Sequence, residues 1–497
     1  MLSMPEHPSR STLEQPAILP VLAAMALTVA LTSPAALGAE RSIWYDSGDP
    51  FNTESLTPPV VPDGYLDSQY SPCKLPDYTR ELTLADVANT TLCNNPQTRE
   101  AWANARVQAA QLGIARSAYL PSLTDNVSTS MSYANPELAT RSNPYSNLNN
   151  SLVASYLLYD FGNRNANLEN ARQLLQAAAA TQNSTVQLLL LSAIQSYYQT
   201  QAGIAALAAA IESERASAES YKAAEARYKA GIATPADKLQ AQTAYAQATL
   251  ARITAEGTLK TAYGTLANVM GLSANQPLKL LPSDPITSQP SVEQDIDALI
   301  EQARLRRPDL VASEAQVKAA EASIEASRAA AKPTVSLSAS NSYQDGSSLT
   351  SNNNSTLGIN VSIPLFSGYA PSYRIRSAEA TAEVRAAQRD RIRLQISLDV
   401  WRAYQSLRTA NQSIAAATTF VSSAEESARV ALGRYKAGVG NILDTLNAQS
   451  ALATARQQKI QADLNWNIAR ASLAQSIGIL DNAMIQSLPE NNNFAMP

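Results

Sequence analysis

The sequence predicts a mainly α-helical chain with a small β part, built as an internal two-fold repeat. Three observations predict it. One turn text occurs twice: Arg227-Tyr228-Lys229-Ala230-Gly231 precedes Ile232-Ala233-Thr234-Pro235-Ala236-Asp237, and Arg434-Tyr435-Lys436-Ala437-Gly438 precedes Val439-Gly440-Asn441-Ile442-Leu443-Asp444. The period is 207 residues (438 minus 231). Each copy is flanked by long Ala-rich text, free of proline from Phe161 to Ala230. Such text favours helices whose backbones approach closely. Four segments of alternating polarity complete the pattern.

Each turn text reads as a tight helix–turn–helix reversal. Gly231 and Gly438 end helical patterns, where only glycine enters the left-handed region without steric cost. Thr234 and Asn441 then read as N-caps, with Asp237 and Asp444 three residues on in capping boxes. Pro235 falls at the first helical position, where its missing N–H costs nothing.

In chain order, residues 1–39 read as a secretory signal. Arg10 lies in the polar start, an apolar run extends from Ala17 to Leu31, and small residues follow, with cleavage after Gly38 or Ala39. A membrane anchor is the alternative, although the run is short for a span and contains Pro20. Residues 40–81 are rich in Pro, Asp, Ser and Tyr and predict an extended arm without its own core. In an exported chain Cys73 and Cys93 either form a disulfide or stay as two thiols.

A first repeat spans 82–271. Helices are predicted at Leu82–Cys93 and Pro96–Ala118, the second stopped before Pro121. Strand text covers Leu123–Tyr133, with Leu123, Val127, Met131 and Tyr133 on one face. It returns over Leu148–Tyr159, with Leu152, Ala154, Tyr156 and Leu158 on one face. After Asp160-Phe161-Gly162 a helical pattern runs to Ala230, about 70 residues and hence roughly 100 Å. A shorter helix from Thr234 to Met270 carries Leu239, Thr243, Ala246, Leu250 and Ile253, with the spacing of a coiled-coil seam.

Residues 272–307 form a Pro-bearing connector with a short helix near Val292–Arg304. The second repeat, 308–480, restates the order: helix Pro308–Ala331, strand Thr334–Tyr343, a Ser/Asn-rich loop Gly346–Ser355, strand Thr356–Phe366, a long helix from Tyr373 to Ala437 and a shorter one from Asn441 to Ile477. On the two strands Val335, Leu337 and Ala339, and then Leu357, Ile359, Val361, Ile363 and Leu365, take one face. Residues 481–497 read as a disordered tail. In each half the two shorter helices together match the height of the long one, so a chain supplies four helical rows of one tall wall.

Several function classes are disfavoured. Net charge is −4, which gives no electrostatic case for nucleic acid. The single histidine, His7, lies in the expected signal, which removes the commonest general base and metal ligand. Two cysteines cannot alone make a four-ligand metal site. No Gly-rich phosphate loop, nucleophile elbow or HExxH is present, which argues against an enzyme.

The strands, of about 10 residues each, are long enough to cross a bilayer when tilted. Four strands cannot close a barrel, and open edges are not tolerated in lipid. Several copies must therefore share one barrel; closure alone does not fix how many.

The order of these features resembles the TolC family of outer-membrane efflux and secretion channels, over about 82–480. The resemblance is carried by the two-fold repeat, the Tyr119-Leu120-Pro121 and Lys332-Pro333 junctions, the Pro364-Leu365-Phe366-Ser367-Gly368 corner and the paired turns. It implies a homotrimer, with four strands per chain in a shared twelve-stranded outer-membrane β-barrel and long antiparallel helices in a periplasmic α-barrel. It implies a passive exit duct of a tripartite efflux pump or type I secretion system, with a periplasmic adaptor (membrane fusion) protein and an inner-membrane transporter of ABC or RND type. No cofactor or metal is implied. The lack of a lipid-accepting cysteine after the expected signal favours the secretion-type branch.

The resemblance also places the turns at the periplasmic tip. There Tyr435 matches a gate tyrosine, Asp237 an acceptor for it, and Asp444 an acid at the pore constriction. The gate's arginine position is Gly440 and a second constriction acid is Asn447, which thins a charge-paired lock. Gly231, Ile232, Gly438 and Val439 match turns that meet the adaptor. Plain capping remains open for Asp237 and Asp444, and plain packing for Tyr435. A non-channel helical protein, a surface stalk or periplasmic scaffold, is the alternative function, although a stalk has no need of four bilayer-length alternating strands.

Overall fold

The structure is a computed structural model that describes residues 49–62, 64–66, 73, 76–132, 145–281, 295–347 and 349–481. The expected signal, part of the arm, the loop from Tyr133 to Pro144 and nearly all of the expected tail lie outside the described residues.

The helices start where local chemistry satisfies their free N–H groups. After the two-residue strand β1 (Glu81–Leu82), Thr83 caps α1 (Leu84–Asn94) in a full capping box with Asp86. This shifts the expected start at Leu82 by two residues. Asn95 accepts from Gln97 N–H and opens α2 (Pro96–Ser117). Strands β2 (Ser122–Ser132) and β3 (Tyr145–Tyr159) follow, then α3 (Asn163–Lys229) and α4 (Pro235–Val269). Strand β4 (Lys279–Leu280) pairs in parallel with β1, a contact that the sequence did not announce. Helix α5 (Ile296–Arg306) leads to α6 (Pro308–Ala329), β5 (Thr334–Gly346), β6 (Leu349–Ser362), α7 (Ala370–Lys436) and α8 (Ile442–Ile477).

The repeat is visible in the lengths. Helices α3 and α7 have 67 residues each, α2 and α6 have 22 each, and α4 and α8 have 35 and 36. At 1.5 Å per residue the long helices run about 100 Å. Both are entered through two consecutive left-handed residues, Phe161-Gly162 and Gly368-Tyr369, one repeat period apart. Toward the strands α3 packs on α2 and α6, and α6 packs on α7; toward the turns α4, α3, α8 and α7 lie side by side.

These contacts use small side chains at a strict spacing. Buried Ala403, Ala410, Ala417 and Ala424 follow one another every seventh residue of α7, as Ala448, Ala455, Ala462 and Ala469 do in α8. A seven-residue repeat keeps one seam facing its partner under a shallow left-handed supercoil. A buried methylene-sized group is worth about 0.8 kcal/mol, so the wall's stability is spread over many small contacts. The largest apolar cluster sits against the middle of α3, where Val186, Leu190 and Ile194 meet Leu82, Val87, Leu92, Leu266 and Met270. The arm adds Val61 to this cluster, and its backbone carbonyls at Pro59 and Val60 accept from Gln182 Nε2.

The predicted seam of α4 points elsewhere. Its buried residues include Ala241 and Ala248, whereas Leu239, Leu250 and Ile253 are each more than half exposed. The apolar stripe read from the sequence lies on the protomer's free side.

The four long strands form one antiparallel sheet in the order β2-β3-β5-β6. Directly opposed residues share a face. The register therefore aligns Leu123, Ala154, Ala339 and Leu357 in one row, and Tyr156, Leu337 and Ile359 in the next. The opposite face carries Ser122, Ser155 and Ser338, then Thr124, Val153, Ser340 and Thr356. The apolar face is open: Leu357 is 74% exposed and Ile359 68%. Where the strands meet the helices, Tyr119, Tyr159, Phe161, Phe366, Tyr369 and Tyr373 are all exposed, as in the aromatic girdle of a bilayer-spanning barrel.

One strand differs from expectation. The Ser/Asn-rich text Gly346–Ser355 is mostly strand, because its polar side chains pair across β5 and β6. Asn341 Nδ2 donates to Asn353 Oδ1 at 2.9 Å and to Ser355 Oγ at 2.8 Å. β6 also ends at Ser362 instead of Phe366, since Pro364 offers no N–H to a ladder.

Among the described residues no helix is long and apolar enough to cross a membrane. The sheet is the element whose surface suits lipid. Ile359→Arg is expected to cost about 2–4 kcal/mol of stability in bilayers, and Ser338→Arg on the opposite face far less. Urea titration of the protein folded into lipid vesicles measures both.

Candidate functional site

The two helical reversals come together at the end of the wall farthest along α3 and α7 from the strands. Each ends its long helix in the same way. Ile232 N–H donates to Arg227 O and Gly231 N–H to Tyr228 O, both at 3.0 Å; Val439 and Gly438 donate to Arg434 O and Tyr435 O, both at 3.1 Å. This doubled closure requires a left-handed residue, supplied by Gly231 at φ +73° and Gly438 at φ +81°. It leaves Ile232 66% and Val439 70% exposed at the turn apices.

The following helices start differently. Thr234 Oγ1 accepts from Asp237 N–H at 3.2 Å, and the Asp237 carboxylate accepts from Thr234 N–H and its hydroxyl at 2.9 Å. Asp237 is thus held as a capping acid. At the second turn Asn441 Oδ1 accepts from Leu443 N–H at 3.1 Å, and no capping box forms. The expected capping role of Asp444 is therefore corrected. The shorter Asn amide satisfies the second helical N–H instead of the third, so nothing at the cap engages the Asp444 carboxylate. Asp444 is exposed and lines an open groove of about 570 Å³ with Glu426, Arg434, Gly440 and Asn447.

Tyr435 is 4% exposed and packs against Ala224 and Ala241 of the first hairpin and Ile442 of its own. Its hydroxyl has no hydrogen-bond partner among the described residues. The bond to Asp237 implied by resemblance is absent in this protomer, where Asp237 Oδ2 accepts from Thr234 instead. What holds Tyr435 is Arg227. Its Nη1 donates to Tyr435 O at 2.8 Å, and its guanidinium lies 4.9 Å from the Tyr435 ring centroid. From sequence alone Arg227 offers only a positive charge at a helix end. Burial pushes the Tyr435 hydroxyl above the ordinary tyrosine value; nearby Arg227 pulls it down and Asp237 pushes it up.

Gly440 also has a steric role. A Cβ built there would lie 2.9 Å from Tyr435 N and 3.0 Å from Arg434 Cβ. A side chain at 440 would require the turn to shift at Tyr435 and Arg434. Away from the tip, Cys73 and Cys93 are joined, with Cα atoms 5.4 Å apart, and tie the arm to α1.

A sheet with one apolar face and two open edges, continued by a hundred-ångström helical wall, defines a membrane channel subunit. The comparisons with known proteins agree. Residues 87–272 and 299–479 match the outer membrane efflux protein family, and the chain belongs to that family. It is similar to Protein CyaE of Bordetella pertussis, at 30% identity over 441 residues, covering 87% of this chain and 92% of that one. The solved outer-membrane channel OprN matches with a TM-score of 0.71 at 20% identity, over 84% of this chain and 97% of that one. The open-state MtrE channel of Neisseria gonorrhoeae matches with a TM-score of 0.68 at 22% identity, over 80% and 89%. The chain is thus an outer-membrane channel reaching into the periplasm, and the stalk or scaffold alternative is set aside.

Two outcomes follow at the turns. Asn441→Ala and Asp237→Ala are each expected to cost about 1 kcal/mol, and Asp444→Ala less than about 0.5 kcal/mol, in denaturant titration. Tyr435→Phe is expected to keep stability or raise it by up to about 1 kcal/mol, since it removes an unpaired buried hydroxyl. The raised hydroxyl also sets a pH window. Packing at Tyr435 is fully favoured below pH 10.0 and weakens as pH rises through the raised value, a loss that Tyr435→Phe abolishes in alkaline melts.

Proposed function

We propose that three copies of this chain form the passive exit duct of a tripartite efflux pump or type I secretion system. A periplasmic adaptor meets the turn apices, and an inner-membrane transporter of ABC or RND type supplies the energy. The observation that carries this reading is the pair of open sheet edges, β2 and β6, on a sheet whose exposed face is apolar. Lipid does not tolerate open edges, so β6 of one copy pairs with β2 of the next. Three copies give twelve strands, an even number in the range of bacterial barrels. The free stripe of α4, with Leu239, Leu250 and Ile253, is exposed on the protomer and available to a neighbouring copy.

The gate lies at the reversals. The groove with Asp444 and Asn447 marks the constriction, and Gly231, Ile232, Gly438 and Val439 offer the adaptor a small exposed surface. Three Asp444 carboxylates around one axis favour cations at short range.

Purified full-length protein in planar bilayers tests the duct: stepwise current is expected, and its absence from correctly folded protein would remove the proposal. Asp444→Asn is expected to weaken block by divalent cations several-fold, since one charge pair at 4 Å in water is worth about 1 kcal/mol.

A further inference from the structure

The repeat contains a contact that is made once within the protomer although the sequence encodes it twice. Arg227, at the end of α3, grips Tyr435, at the end of α7, through its carbonyl and its ring. One period on, Arg227 maps to Arg434; one period back, Tyr435 maps to Tyr228. Within the protomer that second pair is not formed. Arg434 is exposed, and its guanidinium makes no hydrogen bond, ion pair or ring contact among the described residues. Tyr228 is 40% exposed, and the cation over its ring is Lys238 at 5.7 Å. Its carbonyl accepts the Gly231 N–H just as Tyr435 O accepts the Gly438 N–H, but it receives no guanidinium.

We propose that Arg434 of one copy grips Tyr228 of the next copy in the way that Arg227 grips Tyr435 within a copy. This rests on the homotrimer proposed above. In the protomer the hairpin α3–α4 stands beside the hairpin α7–α8, and the first reaches the second with an arginine. A ring of identical chains alternates the two hairpins. Each α7–α8 hairpin is then followed by an α3–α4 hairpin from the neighbouring copy. Because the hairpins are repeats, the step from second to first is quasi-equivalent to the step from first to second. The chemistry is available at both. The exposed carbonyls and negative dipole end of a helix C-terminus attract a cation, a carbonyl oxygen has a second lone pair, and a tyrosine face accepts a guanidinium. The tip is thereby fastened by two kinds of clasp, one inside each copy and one at each boundary.

The test uses the full-length protein in detergent, with Arg434→Cys and Tyr228→Cys in one chain and a short bis-maleimide. The native cysteines are joined to each other and do not react. Bands at two and three chain masses are expected, whereas the control pair Arg227→Cys and Tyr435→Cys stays at one chain mass. A sedimenting trimer whose Arg434/Tyr228 pair links only within one chain, or not at all, overturns the clasp and leaves the trimer standing. Wild-type protein that sediments as a monomer overturns both. Should the paired cysteines prevent assembly, single-channel recording replaces crosslinking. Arg434→Ala, Tyr228→Ala and the double variant are expected to raise resting conductance equally. Additive effects would overturn the contact.

Discussion

Strands β2 and β6 each present a row of backbone N–H and C=O groups that the protomer leaves without strand partners. In water such edges are a liability; in hydrocarbon each unpaired group costs several kcal/mol. No rearrangement inside one chain removes the problem, because a four-stranded sheet cannot curl far enough to join its own edges. The rest of the architecture follows from this constraint. The sheet offers lipid a face of Leu123, Ala154, Leu337, Leu357 and Ile359 and keeps serine and threonine on the other. The helices inherit the same open sides, for β2 runs from α2 and β6 runs into α7. This explains why the best apolar stripe of α4 faces away from its own chain.

The repeat gives near-identical lengths and identical helix endings, so its local departures are informative. Replacing Thr234 by Asn441 at the equivalent cap changes which N–H is satisfied, and with it the fate of the acid three residues on. Asp237 is fastened to the backbone, whereas Asp444 is released into a groove. Ala233 becomes Gly440, where a Cβ would crowd Arg434 and Tyr435. One hairpin thus invests its polar groups in local order, and the other leaves them available to whatever passes or binds.

Much of this was legible in the sequence, for identifiable reasons. Long helices with regular spacing, and strands in which Val335, Leu337 and Ala339 alternate with serines, announce themselves through periodicity alone. The repeat made each half a check on the other. The Asn-rich half of β6 was not legible, because asparagine reads as loop until a cross-strand partner such as Asn341 is in place. The seam of α4 was legible as a seam, but which side it faced was not, since periodicity fixes an angle on the helix and not the neighbour. Arg227 was missed because its acceptor is a backbone carbonyl 208 residues away, which carries no residue-type signal.

The strength of the tip follows from what Arg227 does and what Tyr435 does not. A hydroxyl-to-carboxylate bond in a buried site would add a charge-assisted term of about 1.5–3 kcal/mol, and here that term is absent. In its place stands a half-buried arginine, whose hydrogen bond is itself charge-assisted and worth about 1.5–3 kcal/mol, with about 0.5–1 kcal/mol more over the ring. The arginine position of a charge-paired lock is Gly440 here, where a side chain would require the turn to shift at Arg434 and Tyr435.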